Sequence, residues 1–471
     1  MGFELDSEKR RRLGYNLINH IDRYFETLHT RPVQLPEEER SFEELHNALP
    51  EMGSDAVRVL DDICRELINR GFHVPSANYF GLMNPTPTYV GVLAEALVAA
   101  VNPQLATLAR SQLASKIELE TVRWIGERVG WNGPFSGTFT SGGNEANYSA
   151  LALALASKFP DVMNHGVRSL QGQPVAYASS EGHHSLDKSA GLLGLGRKAV
   201  RRIPVTARVQ VELNELERAI QEDKSRGELP FCVVATAGTT NSGAIDDLVA
   251  VAKICRKNDI WMHVDGAYGA AAIFSNRHRD LVRGIEFADS VTVDPHKWLA
   301  MPFAAGVILT SHPETLKSAF AVTTPYMPKA TVQLPPDNFA ISTQWTRRMN
   351  SLKLWLTLRI HGREAYEQHI DSQIQLARWF ADQVRRSSSF ELFCEPMLPI
   401  FNLRLKKLSG DQTERLERIV SEVTREGKQW ISTTRVNGQT VIRVMIISYL
   451  TQQSHLQELL NRLDWAARRS S

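Results

Sequence analysis

The sequence predicts an α/β fold with a mostly parallel sheet, followed by a smaller α+β unit at the C-terminus. Three observations carry that expectation. Between Gly137 and about Leu309, short apolar runs alternate with helical stretches; Val175 to Ala178, Phe231 to Ala235, Met262 to Val264 and Val291 to Val293 are examples. None of these runs alternates apolar with polar residues, as strands covered on both faces by helices do not. After Leu352 the patterns mix helix and strand again on a smaller scale. The length, 471 residues, exceeds one small domain and predicts two or three packed units.

In chain order, residues 14–29 place Ile18, Ile21, Phe25 and Leu28 on one helical face. The basic run Lys9 to Arg12 ahead of them opposes the helix dipole. Pro32 and Pro36 mark a linker, and residues 55–70 form a second amphipathic helix with Val59, Leu60, Ile63 and Leu67 on its apolar side. Helices with one wide apolar face and no adjacent sheet need a partner surface. Residues 1–79 therefore read as a helical segment that packs on another subunit. Residues 72–90 are turn-rich and aromatic and predict no regular element. They are either a linker packed on the surface or the wall of a pocket. Helical patterns resume at Val90 and from Ile117 to Val129, within an α/β unit spanning 80–354. Leu352 to Ile360 begins a long helix into the smaller unit, 355–471. That unit reads as helix (about 364–386), strand (Phe401 to Leu405), helix (about 411–427), strand (Val441 to Ile447) and a final helix carrying Leu456, Leu459, Leu460 and Leu463.

Composition narrows the function classes. A net charge of +2, from 54 basic and 52 acidic residues, offers no electrostatic footprint for nucleic acid. No uncharged apolar span is long enough to predict a transmembrane helix. The N-terminal MGFELDSEKRRRLGYNLINH has no signal-peptide core, so the expected location is cytoplasmic. Cys64, Cys232, Cys255 and Cys394 are widely spaced, mostly among apolar residues. They read as free thiols of a reduced compartment, with no disulfide framework and no metal site.

The chemistry centres on SVTVDPHKWLAMPFAAGVILT, Ser290 to Thr310. A β-branched strand ends at the turn signal Asp294-Pro295, and Lys297 follows at its mouth among aromatic and apolar residues. A lysine amine can form a Schiff base with an aldehyde. One strand earlier, WMHVDGAYGA runs into Asp265 and then Gly266 and Ala267, small residues that let a flat group lie close to the backbone. An aspartate there either keeps a buried ring nitrogen protonated or caps the next element. TSGGNEANYSAL, Thr140 to Leu151, is either a phosphate cradle at a helix N-terminus or a plain helix start. His183 and His184, in SSEGHHSLDKSA, are equally eligible from composition to stack on a planar group or pass a proton. In ATAGTTNSGAIDD, Thr240 either bonds a phenolic oxygen or serves a turn.

Taken together these stretches resemble the group II pyridoxal phosphate-dependent amino acid decarboxylases, which include aromatic-L-amino-acid, histidine, glutamate and cysteine-sulfinate decarboxylases. The resemblance runs from the N-terminal helices to about Leu450 and is sharpest at DPHKWLA, the counterpart of the family's NPHKWL-type signature. It implies fold type I, the aspartate aminotransferase-like architecture, with a seven-stranded sheet, a pyridoxal 5'-phosphate cofactor and a homodimer with shared active sites. By resemblance, Lys297 anchors the cofactor, His296 lies on its phosphate side, Asp265 pairs with the ring nitrogen and Ala267 packs on the ring. His184 matches the stacking histidine and His183 does not, Gly143 and Asn144 match the phosphate loop, and Thr240 the second threonine of the family's GTT motif. TRRMNSLKLW, Thr346 to Trp355, is similar to the stretch that leads into the small domain. Tyr326 falls on the tyrosine of a mobile loop, where a phenol can protonate the substrate Cα after carbon dioxide leaves. Relatives with phenylalanine there can give oxidative products. The sequence departs from the family at Asp294, where many relatives have asparagine, at Phe303-Ala304-Ala305 and at Asn84-Pro85-Thr86.

The expected reaction is decarboxylation of an L-amino acid, preferably aromatic, with Tyr79, Phe80 and Tyr89 as pocket walls. An acidic substrate, paired with Arg110, is the alternative. Others are decarboxylation coupled to oxidative deamination and a non-catalytic relative of the fold.

Overall fold

The computed structural model describes residues 3–39, 48–322, 335–406 and 410–469. Its centre is a seven-stranded sheet made of β1 (Ser136–Thr140), β2 (Pro174–Ser179), β3 (Val200–Ile203), β4 (Leu229–Thr236), β5 (Trp261–Asp265), β6 (Ser290–Val293) and β7 (Gly306–Thr310). The spatial order is β1-β7-β6-β5-β4-β2-β3. Strands β3, β2, β4, β5 and β6 pair in parallel, while β7 runs antiparallel to both β6 and β1. This is the expected mostly parallel sheet. Its inner strands are buried along their length because helices cover both faces. Thr236 lies opposite Asp265, and Asp265 opposite Thr292, so the carboxyl ends of β4, β5 and β6 finish level at one edge. Ligands of open α/β sheets bind at that edge.

The smaller α+β unit has an antiparallel sheet of β8 (Phe390–Leu392), β9 (Ile400–Leu405), β10 (Ser432–Val436) and β11 (Gln439–Met445), in the order β10-β11-β9-β8. The long helix Ser351–Arg386 reaches it, interrupted at Gly362, whose φ of +73° suits glycine. Strands β1, β3, β8 and β10, which sequence reasoning did not list, all lie at sheet edges. Edge strands carry polar residues, as in VRRI and STTRV, and so lose the apolar signal.

The first helix spans Ser7–Thr27, earlier than the expected 14–29. Asp6 accepts the Lys9 N–H at 2.8 Å and Glu8 sits in the first turn, which offsets the basic run. No residue of this helix is buried, and Val59, Ile63 and Leu67 of the helix Ala56–Arg70 are exposed as well.

The stretch TRRMNSLKLW works as a clamp. Arg347 pairs with Glu118 at 2.6 Å and also donates to Thr138 Oγ1 and the Phe139 carbonyl, which ties β1 to the start of the long helix. Lys353 donates to the Pro302 and Ala304 carbonyls and pairs with Glu95, which holds the loop after Lys297. Both side chains of the Arg347–Glu118 pair are almost fully buried. Removing one partner strands a buried charge, so Arg347→Met is expected to cost about 3–5 kcal/mol. Thermal melting checks this, and the double variant Arg347→Met/Glu118→Met is expected to recover most of the loss.

Candidate active site at the carboxyl edge of the sheet

The level ends of β4, β5 and β6 open into a cavity of ≈ 310 Å³, within the range of small-molecule sites. Gly143, Asn144, Thr240, Asp265, Ala267, His296 and Lys297 all line it, so the structure brings together seven of the expected site residues.

After β6 the chain turns sharply, with the Lys297 N–H donating to the Asp294 carbonyl at 2.9 Å. The sequence places Lys297 among apolar neighbours, but Asp294 Oδ2 lies 3.1 Å from its Nζ. The turn folds the two side chains back on each other, which a linear reading of DPHKW does not show. Asp294 Oδ1 is buried and has no partner. His296 Nδ1 accepts the Ala305 N–H at 3.0 Å, its Nε2 is 3.7 Å from Asp294, and its ring tilts against Phe303. Burial lowers the His296 pKa, and the Asp294 carboxylate opposes that shift.

The helix Gly143–Lys158 starts beside this turn, led by Gly142 at φ +151°. A Cβ on Gly142 would come within 3.1 Å of His296, and one on Gly143 within 2.7 Å of Asp294 and 3.3 Å of Ala267. Only glycines leave room for a ligand between these elements. The first-turn N–H groups and the helix dipole make an anion seat there. Asp265, at the end of β5, accepts the Ala267 N–H at 3.2 Å and Asn147 Nδ2 at 2.8 Å. Thr240 joins from the turn after β4, and its carbonyl accepts from the buried Arg443 of β11 at 3.3 Å.

The histidine assignment needs correction. His184 points outward, with its side chain 91% exposed and Nδ1 3.2 Å from Asp187. His183 lines the cavity instead. Its Nδ1 accepts the Ser185 N–H at 3.1 Å, which caps the helix Ser185–Leu192 and turns Nε2 away from that bond. The two rings diverge because His184 is already the residue that enters the helix, while His183 still belongs to the loop from β2. Burial lowers the His183 pKa, with Asp265 raising it and Lys297 lowering it further.

The expected aromatic walls also lie elsewhere. Tyr79 stacks on Trp430, Phe80 belongs to the core of the smaller unit, and Tyr89 packs against Phe25 beside a different cavity. Tyr79 and Phe80 bury themselves against neighbouring elements while Phe72 stays exposed, and from this loop Met83 reaches the site. Arg110 is exposed and lines a separate cleft. Tyr326 lies outside the described residues.

Sequence reasoning missed Asn147, Met83 and Arg443. Arginine within the apolar run VIRVMIIS was a usable signal, because a charge in a buried strand needs a reason. Asn147 looked like an ordinary helical residue.

The donor set fits pyridoxal phosphate: an amine, a carboxylate for a ring nitrogen, a glycine-lined anion seat that a Cβ would fill, and a small residue beneath a flat ring. Comparison with known proteins agrees. The family model for the pyridoxal-dependent decarboxylase conserved domain matches residues 36–406. An aromatic-L-amino-acid decarboxylase of Bacillus atrophaeus is 30% identical, over 98% of this chain and 96% of its own. A cysteine sulfinic acid decarboxylase of Rattus norvegicus is also 30% identical, over 91% of this chain and 89% of its own. The crystal structure of mouse CSAD superposes with a TM-score of 0.91 at 26% identity, covering 98% of this chain and 99% of that one.

Proposed function

The chain belongs to the pyridoxal-dependent decarboxylase family, and from that premise we propose that it converts an aromatic L-amino acid to its amine and carbon dioxide. The observation that carries the substrate class is Met83, an apolar and adaptable side chain brought to the cavity by the loop 72–90. Arg110, the candidate partner for an acidic side chain, faces another cleft. The Bacillus relative, matched over nearly the whole chain, supports the same choice.

Bound at this site, pyridoxal phosphate supplies an electron sink for the bond to the departing carboxylate. The chain's own residues do the rest. Lys297 presents the amine that receives the cofactor aldehyde. Asp265 would accept the N–H of the protonated ring nitrogen, and the N-terminus of the helix Gly143–Lys158 would hold the phosphate, with His296 beside it. His183 offers Nε2 toward the cavity, and Tyr326 delivers the proton to the substrate Cα. Orientation and exclusion of water are the protein's contribution. The exposed apolar faces of the helices Ser7–Thr27 and Ala56–Arg70 support a homodimer that covers them.

The test is a screen of the cofactor-loaded protein against the common L-amino acids and cysteine sulfinate, with detection of amine, carbon dioxide, aldehyde and peroxide. Tyrosine, tryptophan or phenylalanine is expected to turn over fastest, with amine and carbon dioxide in equal amounts. Glutamate or cysteine sulfinate as the fastest substrate would refute the aromatic reading. Tyr326→Phe is expected to lower amine formation by about 10²-fold and to divert the remaining turnover toward aldehyde and peroxide. Unchanged rate and products would remove Tyr326 from its role as proton donor.

A further inference from the structure

Asn147 sits in the first turns of the helix Gly143–Lys158 and is 1% exposed. Its amide is engaged at both ends. Nδ2 donates to Asp265 Oδ2 at 2.8 Å and to Ser185 Oγ at 3.0 Å. Oδ1 accepts from Thr292 Oγ1 at 3.0 Å and lies 3.1 Å from His263 Nε2. His263 is fully buried in β5, two positions before Asp265, so it projects from the same face of the strand. Its Nδ1 faces Ser290 Oγ at 2.9 Å, and that oxygen accepts from Trp261 Nε1 at 2.9 Å.

Hydrogen-bond directions follow from the donors. An indole N–H can only give, so the Ser290 hydroxyl hydrogen is free for His263 Nδ1. Nδ1 also lies 3.2 Å from the Ser290 carbonyl, an acceptor, and Nε2 faces Asn147 Oδ1, so the direction of the Asn147 amide is set by its own partners, the Asp265 carboxylate and the Thr292 hydroxyl. Burial lowers the His263 pKa, which leaves the ring neutral with a single N–H. Turning the Asn147 amide over would set its oxygen against the Asp265 carboxylate, where two acceptors repel. One orientation of the amide is therefore locked, and it aims an N–H at Asp265.

We propose that Asn147 is a positioning residue for Asp265, held by the chain Trp261–Ser290–His263 and by Thr292, and that it fixes the carboxylate in the orientation from which it takes the ring nitrogen of the cofactor. The proposal rests on reading the cavity as a pyridoxal phosphate site. Without Asn147, Asp265 would keep the Ala267 N–H on one oxygen and be free to turn the other. A buried polar chain with every member satisfied rigidifies the group at its end, and preorganised aim is what an electrostatic contact to a reacting system requires.

The test uses the full-length protein titrated with pyridoxal phosphate. The parent, Asn147→Leu, Asn147→Ser and Thr292→Val are compared by cofactor Kd, by the position and pH midpoint of the visible absorption band, and by kcat and KM. Asn147→Ser keeps a polar side chain in the network and Thr292→Val leaves Asn147 in place, so both guard against loss of folding in Asn147→Leu. For the folded Asn147 variants, kcat is expected to fall by about 10- to 100-fold with KM within about threefold, the cofactor Kd to rise about tenfold, and the band and its midpoint to shift. Thr292→Val is expected to move each quantity the same way by less. A role in folding alone would lower the melting temperature and leave the band of the folded protein at its parental position. Parental band, Kd and kcat in a folded Asn147 variant would overturn the proposal. A parent that forms no visible band would overturn the cofactor reading itself, and the same titration shows which of the two has failed.

Discussion

Lys297→Ala is expected to abolish retention of pyridoxal phosphate through dialysis, to remove the visible band formed on its addition, and to lower decarboxylation by about 10⁴-fold or more. The turn after β6 sets the amine in place. Asp294 and Lys297 close it through the backbone and face each other at 3.1 Å, so the amine stands at one place on the cavity floor. An alanine there has no nucleophile to offer the cofactor aldehyde, and an arginine would not restore one because its guanidinium keeps its charge. The same substitution leaves the buried Asp294 without its cation, which is expected to cost about 1–3 kcal/mol. Stability and chemistry can be separated. Lys297→Ala/Asp294→Asn is expected to regain the melting temperature and none of the cofactor retention. Borohydride reduction followed by mass measurement of the intact chain checks the covalent step. A cofactor adduct of parental yield on the Lys297→Ala protein would move the anchor to another lysine.

Much of this site was legible because the fold places its chemistry where short motifs leave strands. Asp265 ends β5 and Lys297 follows β6, each a β-branched or apolar run that breaks into small or turn residues. The glycines at 142 and 143 mark the anion seat by what they lack. Rotation around a turn was not legible. DPHKW gives no sign that Asp294 folds back on Lys297, and HH gives no sign of which ring enters the cavity. Asn147 was invisible for a related reason. Its partners Asp265, Ser185, Thr292 and His263 lie on three other elements, two strands and a helix, and only the folded chain brings them together. Tyr79 and Phe80 misled because an aromatic loop residue close to a site packs into the nearest core as readily as it lines a pocket.

The adjacent histidines offer the sharpest contrast between neighbouring positions. His183→Asn is expected to lower kcat by about 10²–10³-fold, the scale of a positioned acid–base or stacking group. His184→Asn is expected to stay within about twofold. Asparagine is the right replacement at 183 because its side-chain oxygen can accept from the backbone N–H two residues on, so the Ser185 N–H keeps a partner. At 184 the ring is exposed and shares Asp187 with Arg202, an arrangement whose loss costs little at a surface. The pH profile gives a second reading. Burial, with Lys297 adding to it, puts the His183 pKa below the ordinary imidazole value, and Asp265 offsets only part of that shift. The ring is then neutral at pH 7, with Nδ1 accepting from Ser185 and the hydrogen on Nε2, and it charges at a lower pH than an unperturbed imidazole. Turnover that depends on neutral His183 is therefore expected to persist to lower pH than an unperturbed histidine near 6.5 would allow. His183→Asn is expected to abolish that acid limb in kcat. If His184→Asn removed the limb and His183→Asn did not, the ring that serves the cavity in solution would be His184.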